Sequence, residues 1–477
     1  VEAAAACLAG GRGALLVVPD ADALGVLSAR CADAFGAGSF VTLSADLGPA
    51  ARYRAFLAAS RGLVPLVLGT RNAGYAPVAD LGLIAVWDDG NDSLSEPRAP
   101  YPHAREVAAL RASQEHCALL IAGFARTAET QALVERGWLV SLDFPAAEAR
   151  RRGPVVRIAA DTDLALERDP AAHAARLPHD VFAAIRAGLA SGPVLLQVPR
   201  AGYVSAVSCE ACREAARCPR CSRVLRGERA TGSLQLVCGS CGPLAGAWRC
   251  PSCGGGELRS PRVGVRRTAE ELGKAFPQTR VIESWSGHLV DAVGDEPALV
   301  LATPGAEPAA SGGYAAAILL DTWLLLSRPE LRAAEEALRR WLAVCAQVRP
   351  AVAGGTVMAV GETDARALQA LVRLDPVGFA ARELAERRAT GFPPAAKVVT
   401  VEGALAVVEA YGVDLAAVGG VEIFGPVEVG DEVWRLTART AHERAAAVVG
   451  ALRVESGRRS AAKLPVARVR VDPQVID

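Results

Sequence analysis

The sequence predicts an α/β protein: two parallel-sheet lobes, a metal-binding insertion in the second, and a small α+β domain at the C-terminal end. Three observations carry this. Short apolar runs alternate with helical patterns up to about residue 150 and again between about 193 and 361, the rhythm of β-α-β units. Four Cys-x-x-Cys pairs fall between Cys209 and Cys253, the spacing of tetrahedral thiolate sites. Beyond about residue 373 the order becomes β-α-β-β-α-β, the split arrangement of ferredoxin-like domains.

In the first lobe, residues 1–150, "ALLVVP" (14–19), "FVTL" (40–43), "LVPLVLGT" (63–70), "LGLIAVW" (81–87) and "ALLIAGFA" (118–125) read as strands. The helical patterns "DALGVLSARCADAF", "PAARYRAFLAAS" and "AREVAALRASQEH" lie between them. "EARRRGPVV" (148–156) reads as a linker. The second lobe, 151–372, holds strands at "PVLLQVP" (193–199), "TRVIES" (279–284), "ALVLAT" (298–303), "AAAILLDT" (315–322) and "GTVMAVG" (355–361), with the cysteine insertion at 206–259. In the domain 373–477, "VEIFGPVEV" and "EVWRLTART" read as a hairpin across Gly430-Asp431.

A chain of 477 residues with 51% hydrophobic content suits about three globular cores. No apolar run reaches the length of a membrane span, and no export signal is visible. A protein of the reducing cytoplasm with no membrane partner is therefore expected. The 52 basic and 52 acidic residues cancel, so there is no global pull toward nucleic acid, although a local patch suffices for binding. Arg supplies nearly all the positive charge, the lysines being Lys274, Lys397 and Lys463.

The cysteine spacing is C-x2-C-x5-C-x2-C-x16-C-x2-C-x8-C-x2-C, and it takes eight of the twelve cysteines. Each knuckle supplies half of a tetrahedral site, so four knuckles predict two structural Zn²⁺ ions per chain. Redox dithiols or disulfides fit a reducing compartment poorly. Iron–sulfur spacing with three close cysteines is absent. Arg213, Arg217, Arg220, Arg223, Arg226, Arg229, Arg249 and Arg259 surround the ligands against four Glu. They offset thiolate charge first and form a DNA patch only second. Spacing alone leaves sequential and nested pairing of the knuckles open.

Several stretches resemble the primosomal protein N′ (replication restart protein PriA) family. They are "VLGTRNAGYAPVADLGLIAV" (67–86), "PYPHAREVAALRA" (100–112), "RAGYVSAVSCEACREAARCPRC", "FAARELAERRATGFPPAAKVV" (379–399) and the terminal "VDP" (471–473). The resemblance spans essentially the whole chain. It implies two helicase-like lobes and nested zinc sites: Cys209, Cys212, Cys250 and Cys253 around one ion, Cys218, Cys221, Cys238 and Cys241 around the other. It also implies forked or single-stranded DNA, single-strand-binding protein, and the replicative helicase or its loader as partners. The family's phosphate loop and N-terminal DNA-binding domains would precede Val1.

The departures from the family pattern concern catalysis. Where the family has Asp-Glu-Glu-His, this chain has Trp87, Asp88, Asp89 and Gly90. Gly-Ser-Ala-Thr has become Ala122, Gly123, Phe124 and Ala125. "GTQM-x-x-KG" has become "ATPGAEPAASG". In "QVRPAVAGG", Ala351 and Gly354 stand at the two arginine positions, with Arg349 in a shifted register. Loss of an arginine finger alone costs on the order of 10³ in rate. No catalytic or nucleotide-binding residue is therefore assigned, and bound ATP is not expected.

Bland readings compete at other residues. His103 reads as a helix cap. Asp88, Asp89 and Asp92 read as a solvated strand end rather than a cation site. Trp285, Trp323 and Trp341 read as packing rather than base-stacking residues. The leading expectation is a DNA-binding replication restart protein at stalled forks without helicase or ATPase activity. The alternatives are an active ATP-dependent 3′-to-5′ helicase and a zinc-stabilised interaction scaffold.

Overall fold

The computed structural model describes residues 1–159, 177–199, 207–212, 214–222, 224–230, 233–238, 242–244, 247–259, 265–328, 330–430 and 432–473. The chain forms two compact units, one combining Val1–Ser141 with Ala380–Gln474 and the other built on Leu142–Phe379.

The first unit opens with β1 (Gly13–Val17), β2 (Phe40–Leu43), β3 (Leu66–Gly69), β4 (Leu81–Trp87) and β5 (Ala118–Ala122). They make one parallel sheet in the order β2-β3-β1-β4-β5. β1 and β3 are buried along their whole length, as expected of strands covered by helices on both faces. Leu15, Val67 and Ile84 fill one side of the sheet; Leu16, Leu66 and Leu68 fill the other. Helix starts are set by side chains: Asp20 accepts from Ala23 N–H at 2.9 Å and Thr127 from Thr130 N–H at 3.1 Å. His103 does the same, its Nδ1 accepting from Arg105 N–H at 3.1 Å. Gly69 is required by close approach, since a Cβ there would collide with the Leu43 carbonyl.

The second unit contains β6 (Val155–Ile158) and β7 (Val194–Gln197), then the short strands of the cysteine insertion. These are β8 (Ser208–Cys209), β9 (Arg226–Ala230), β10 (Ser233–Cys238), β11 (Gly242–Pro243) and β12 (Leu258–Arg259). β13 (Arg280–Ser284), β14 (Ala292–Val293), β15 (Ala298–Ala302), β16 (Ala309–Ala310), β17 (Ala316–Leu319) and β18 (Thr356–Ala359) follow. The main sheet is parallel, in the order β13-β15-β7-β17-β18-β6. The stretch expected as a linker differs: a helix spans Ala146–Arg152, and Val155–Ile158 is the edge strand paired with β18. Burial of Val156 and Ile158 explains this, because their alternation suits a half-covered edge.

The last strands, β19 (Lys397–Gly403), β20 (Val421–Gly430), β21 (Val433–Thr440) and β22 (Arg468–Val471), belong to the first unit. They form an antiparallel sheet in the order β20-β21-β19-β22. Helices Leu405–Val418 and Ala445–Ala461 contribute Tyr411, Leu415, Val448 and Leu452 to a core shared with Val399, Val401 and Leu436. Among the described residues no helix is long and apolar enough to cross a membrane.

Candidate metal centres and the motif edge of the first sheet

The cysteine insertion folds back on itself. β12 pairs antiparallel with β8, placing Leu258 opposite Cys209. β9 and β10 form a hairpin that brings Cys238 toward the knuckle at Cys218 and Cys221. The four thiols of Cys209, Cys212, Cys250 and Cys253 lie within 4.8 Å of one another, and so do those of Cys218, Cys221 and Cys238. The grouping is outer knuckle with outer knuckle. Cys241, the expected fourth member of the second cluster, lies outside the described residues, as do Arg213 and Arg223.

The distances test what these thiols fit. Cys209 Sγ is 3.6 Å from Cys253 Sγ, Cys212 Sγ is 3.4 Å from Cys250 Sγ, and Cys221 Sγ is 3.5 Å from Cys238 Sγ. A disulfide needs about 2.05 Å. Tetrahedral ligands at a zinc–sulfur length of about 2.3 Å stand roughly 3.8 Å apart. The thiols therefore fit a metal of that size.

Their electrostatics point the same way. Burial raises the Cys209 thiol, but the backbone N–H groups of Cys212 and Ala211 outweigh it and bring the pKa down to about 7. Cys212 is pushed up to about 12, by burial first and then by the neighbouring thiols of Cys250, Cys253 and Cys209. Thiolates this close forbid one another's ionisation unless a cation sits among them. Among the described residues the insertion has a small core of its own. Its core is Val207, Ala216, Leu225, Leu236 and Trp248 packed on the cysteines, with Trp248 Nε1–H donating to the Arg217 carbonyl at 3.1 Å. Arg217 itself donates to Glu362 at 2.9 Å.

The carboxyl ends of β4 and β5 gather the altered motif residues. In open α/β sheets this edge is where ligands bind. Here the Trp87 and Phe124 rings meet edge to face, with centroids 5.3 Å apart and planes at 87°. Asp88 takes a left-handed backbone, φ +58°, and its N–H donates to the Ala122 carbonyl at 2.7 Å. Its carboxylate accepts from Asn91 Nδ2 at 3.3 Å.

Asp89 overturns the expectation of a solvated acidic end. It is 3% exposed, and its Oδ2 accepts from Arg105 Nη1 at 3.0 Å and from the hydroxyls of Thr127 and Thr130, both at 2.7 Å. That oxygen is saturated by neighbours that tie three segments together. Asp92 is exposed. Arg349 donates from Nη1 to the Ser191 carbonyl at 2.9 Å and from Nε to Gly312 and Gly313 at 3.2 and 3.1 Å. These carbonyls precede β7 and β17, at the amino edge of the sheet, opposite the ligand-binding edge.

Of the tryptophans, Trp341 is 1% exposed, Trp285 packs on His288 with centroids 4.9 Å apart, and Trp323 is half-buried. Sequence reasoning missed the role of Arg387 in the "ELAERRATGFPP" stretch. Its guanidinium is buried, 3.1 Å from Glu383, 3.2 Å from the Pro393 carbonyl and 3.7 Å from Glu129. Leu384, one turn earlier, packs on Ala128 and Ala132. The four-residue spacing of Glu383 and Arg387 was the available signal.

Two parallel α/β sheets, the second interrupted by paired cysteine clusters that could hold metal ions, and a terminal antiparallel α+β sheet define a multidomain α/β protein. Residues 388–474 match the family model described as the primosomal protein N C-terminal domain. The chain is 46% identical to the probable replication restart protein PriA of Mycobacterium tuberculosis, covering 99% of this chain and 75% of that one. It is 45% identical to the Mycobacterium leprae protein of the same name, covering 99% and 74%. The Bacillus subtilis replication restart protein PriA is 27% identical over 58% of this chain and 34% of its own. The chain belongs to the PriA family.

Proposed function

We propose that this chain is a DNA-binding replication restart protein that acts at stalled forks without turning over ATP. Family membership supports the restart role, since the relatives carry that name. The observation that carries the second half is the Trp87–Phe124 pair. Phosphoryl transfer needs a metal held by a carboxylate and positive charge on the transferred phosphate. An indole stands where the family holds its metal-binding Asp, and Arg349, two residues before Ala351 in sequence, is spent on backbone carbonyls.

In this reading the two parallel-sheet units persist as helicase-like lobes with boundaries near 1–150 and 151–372, and the last domain, 373–477, is ferredoxin-like. The insertion 206–259 holds two structural zinc ions, on Cys209, Cys212, Cys250 and Cys253, and on Cys218, Cys221, Cys238 and Cys241. With every position filled by thiolate, such ions shape the fold and activate no water. Single-strand-binding protein and the replicative helicase or its loader are the protein partners, and the protein works in the cytoplasm on the nucleoid.

The test measures binding to a synthetic fork by fluorescence anisotropy at two salt concentrations, with ATP hydrolysis followed in parallel. Salt-sensitive binding without hydrolysis is the expected result. Turnover near one per second, abolished by Asp88→Asn, would overturn it.

A further inference from the structure

We propose that an aromatic cleft beside β2 and β3 seats unpaired bases of single-stranded DNA, an inference that rests on the DNA-binding reading above and gives it a location. The cleft has a volume of about 440 Å³ and is lined by Ser44, Arg52, Tyr53, Phe56, Asn72 and Tyr75, among others. That volume lies within the usual range for ligand clefts, about 300–1,000 Å³. Tyr53, Phe56 and Tyr75 are 63%, 42% and 57% exposed. Three large aromatic side chains left open around one cleft mark a surface kept for a partner.

The chain builds this surface from two separate segments. Tyr53 and Phe56 stand three apart on the helix Pro49–Ser60, so they share a face. Tyr75 closes the short turn Arg71–Tyr75 that follows β3. Thr70, at the start of that turn, is pinned by its N–H to the Leu43 carbonyl at 3.1 Å, which fixes the turn against the end of β2. The helix carries Arg52 and Arg54, with Arg61 just after it, and no Asp or Glu. Among the described residues no carboxylate lines the cleft. Arg71, by contrast, is held by Glu96 at 3.1 Å and by the Ser93 carbonyl at 2.6 Å.

These features choose among occupants. Aromatic faces beside the Arg52 cation, with the neighbouring Glu96 carboxylate already engaged by Arg71, suit a base and its phosphate together. The Asn72 amide offers a donor and an acceptor to a base edge. A purely apolar peptide would leave the arginines and the amide without use. The cleft sits on the β2–β3 flank of the sheet, two strands away from β4, which carries Trp87. Loss of ATP turnover at Trp87 therefore leaves this surface intact.

The experiment titrates a fluorescein-labelled oligodeoxythymidine with the full chain and with three exposed-residue variants, Tyr53→Ala, Phe56→Ala and Tyr75→Ala. Each is checked by circular dichroism for an unchanged fold. Each lost stacking contact should weaken binding about fivefold or more, with the slope against salt unchanged. Arg52→Gln should instead lower that slope by about one phosphate contact. Tyr53→Phe should bind as wild type. An iododeoxyuridine strand should photocrosslink at Tyr53, Phe56 or Tyr75. Wild-type affinity in all three aromatic variants, with crosslinks elsewhere, overturns the cleft while leaving DNA binding standing. Failure of the wild-type chain to bind the strand at all overturns the DNA-binding reading itself. Wild-type DNA affinity in the variants with loss of a protein contact would assign the cleft to a peptide instead.

Discussion

Trp87 and Phe124 lie edge to face across the carboxyl ends of two adjacent parallel strands, with ring centroids 5.3 Å apart. Each replaces a smaller residue of the family pattern, so the two changes form one structural event. Restoring only one member leaves the other without its partner. An edge-to-face pair is worth about 0.5–1.5 kcal/mol beyond area burial. A double-mutant cycle with Trp87→Ala and Phe124→Ala, read by urea unfolding, should return a coupling of that size. Trp87→Asp alone should lower stability and give no ATP turnover. Additive effects in the cycle would mean that the rings touch without cooperating.

The buried guanidinium of Arg387 gives a second prediction. It is 1% exposed, beside the buried Glu129 and the half-buried Glu383. Removing one member of such a group leaves an uncompensated charge, at a cost of about 3–5 kcal/mol. Arg387→Met should destabilise the protein by that amount. Adding Glu129→Gln and Glu383→Gln should recover part of the loss. The neighbouring exposed pair of Arg388 and Glu135 should matter far less, about 0–1 kcal/mol, when Arg388 is changed to Gln. Equal effects at 387 and 388 would contradict this ranking.

Strand positions were legible wherever burial was uniform. β1, β3, β7 and β17 are fully buried, and each appears in the sequence as an apolar run, interrupted in β7 by Gln197 alone. The linker expected at 148–156 failed because an edge strand buries one face only, and Val155–Ile158 is too short to display its alternation. The cysteine clusters were legible because ligand spacing is local. The Asp89 network was not, since its donors Arg105, Thr127 and Thr130 stand 16, 38 and 41 residues away in sequence. The aromatic cleft was hidden for the same reason: "PAARYRAFLAAS" reads as an ordinary helix until Tyr75 is brought beside it.

Glu336 predicts how stability responds to acid. Burial pushes its carboxyl up, but the guanidinium groups of Arg339 and Arg340 prevail and hold it below the ordinary carboxylate range. Arg339 Nε lies 2.7 Å away. A carboxyl whose folded pKa is depressed contributes stability that is present above its unfolded value, near 4.3. That contribution is lost as pH falls from there through the folded value. Glu336→Gln should therefore lower the melting temperature at pH 7 and flatten the acid limb of the second unit. Parallel curves for variant and wild type would show that the pair carries no pH-linked stability.

The metal centres give the most decisive prediction. Among its described residues the insertion buries few apolar side chains apart from its cysteines, and burial with neighbouring thiols keeps Cys212 from ionising where no cation sits among them. Each ion should then supply on the order of 10 kcal/mol, so that metal binding and folding of the insertion are one event. Elemental analysis under reducing conditions should find two zinc ions per chain. Cys212→Ser should remove one and Cys218→Ser the other, because the two residues fall in separate clusters. Chelation should speed hydrogen exchange at the amides of β9 and β10 while the β1–β5 sheet keeps its protection. Fewer than two ions in the wild-type chain would sink the two-site assignment. Loss of both ions from either single variant would show that the clusters share one cooperative site rather than two.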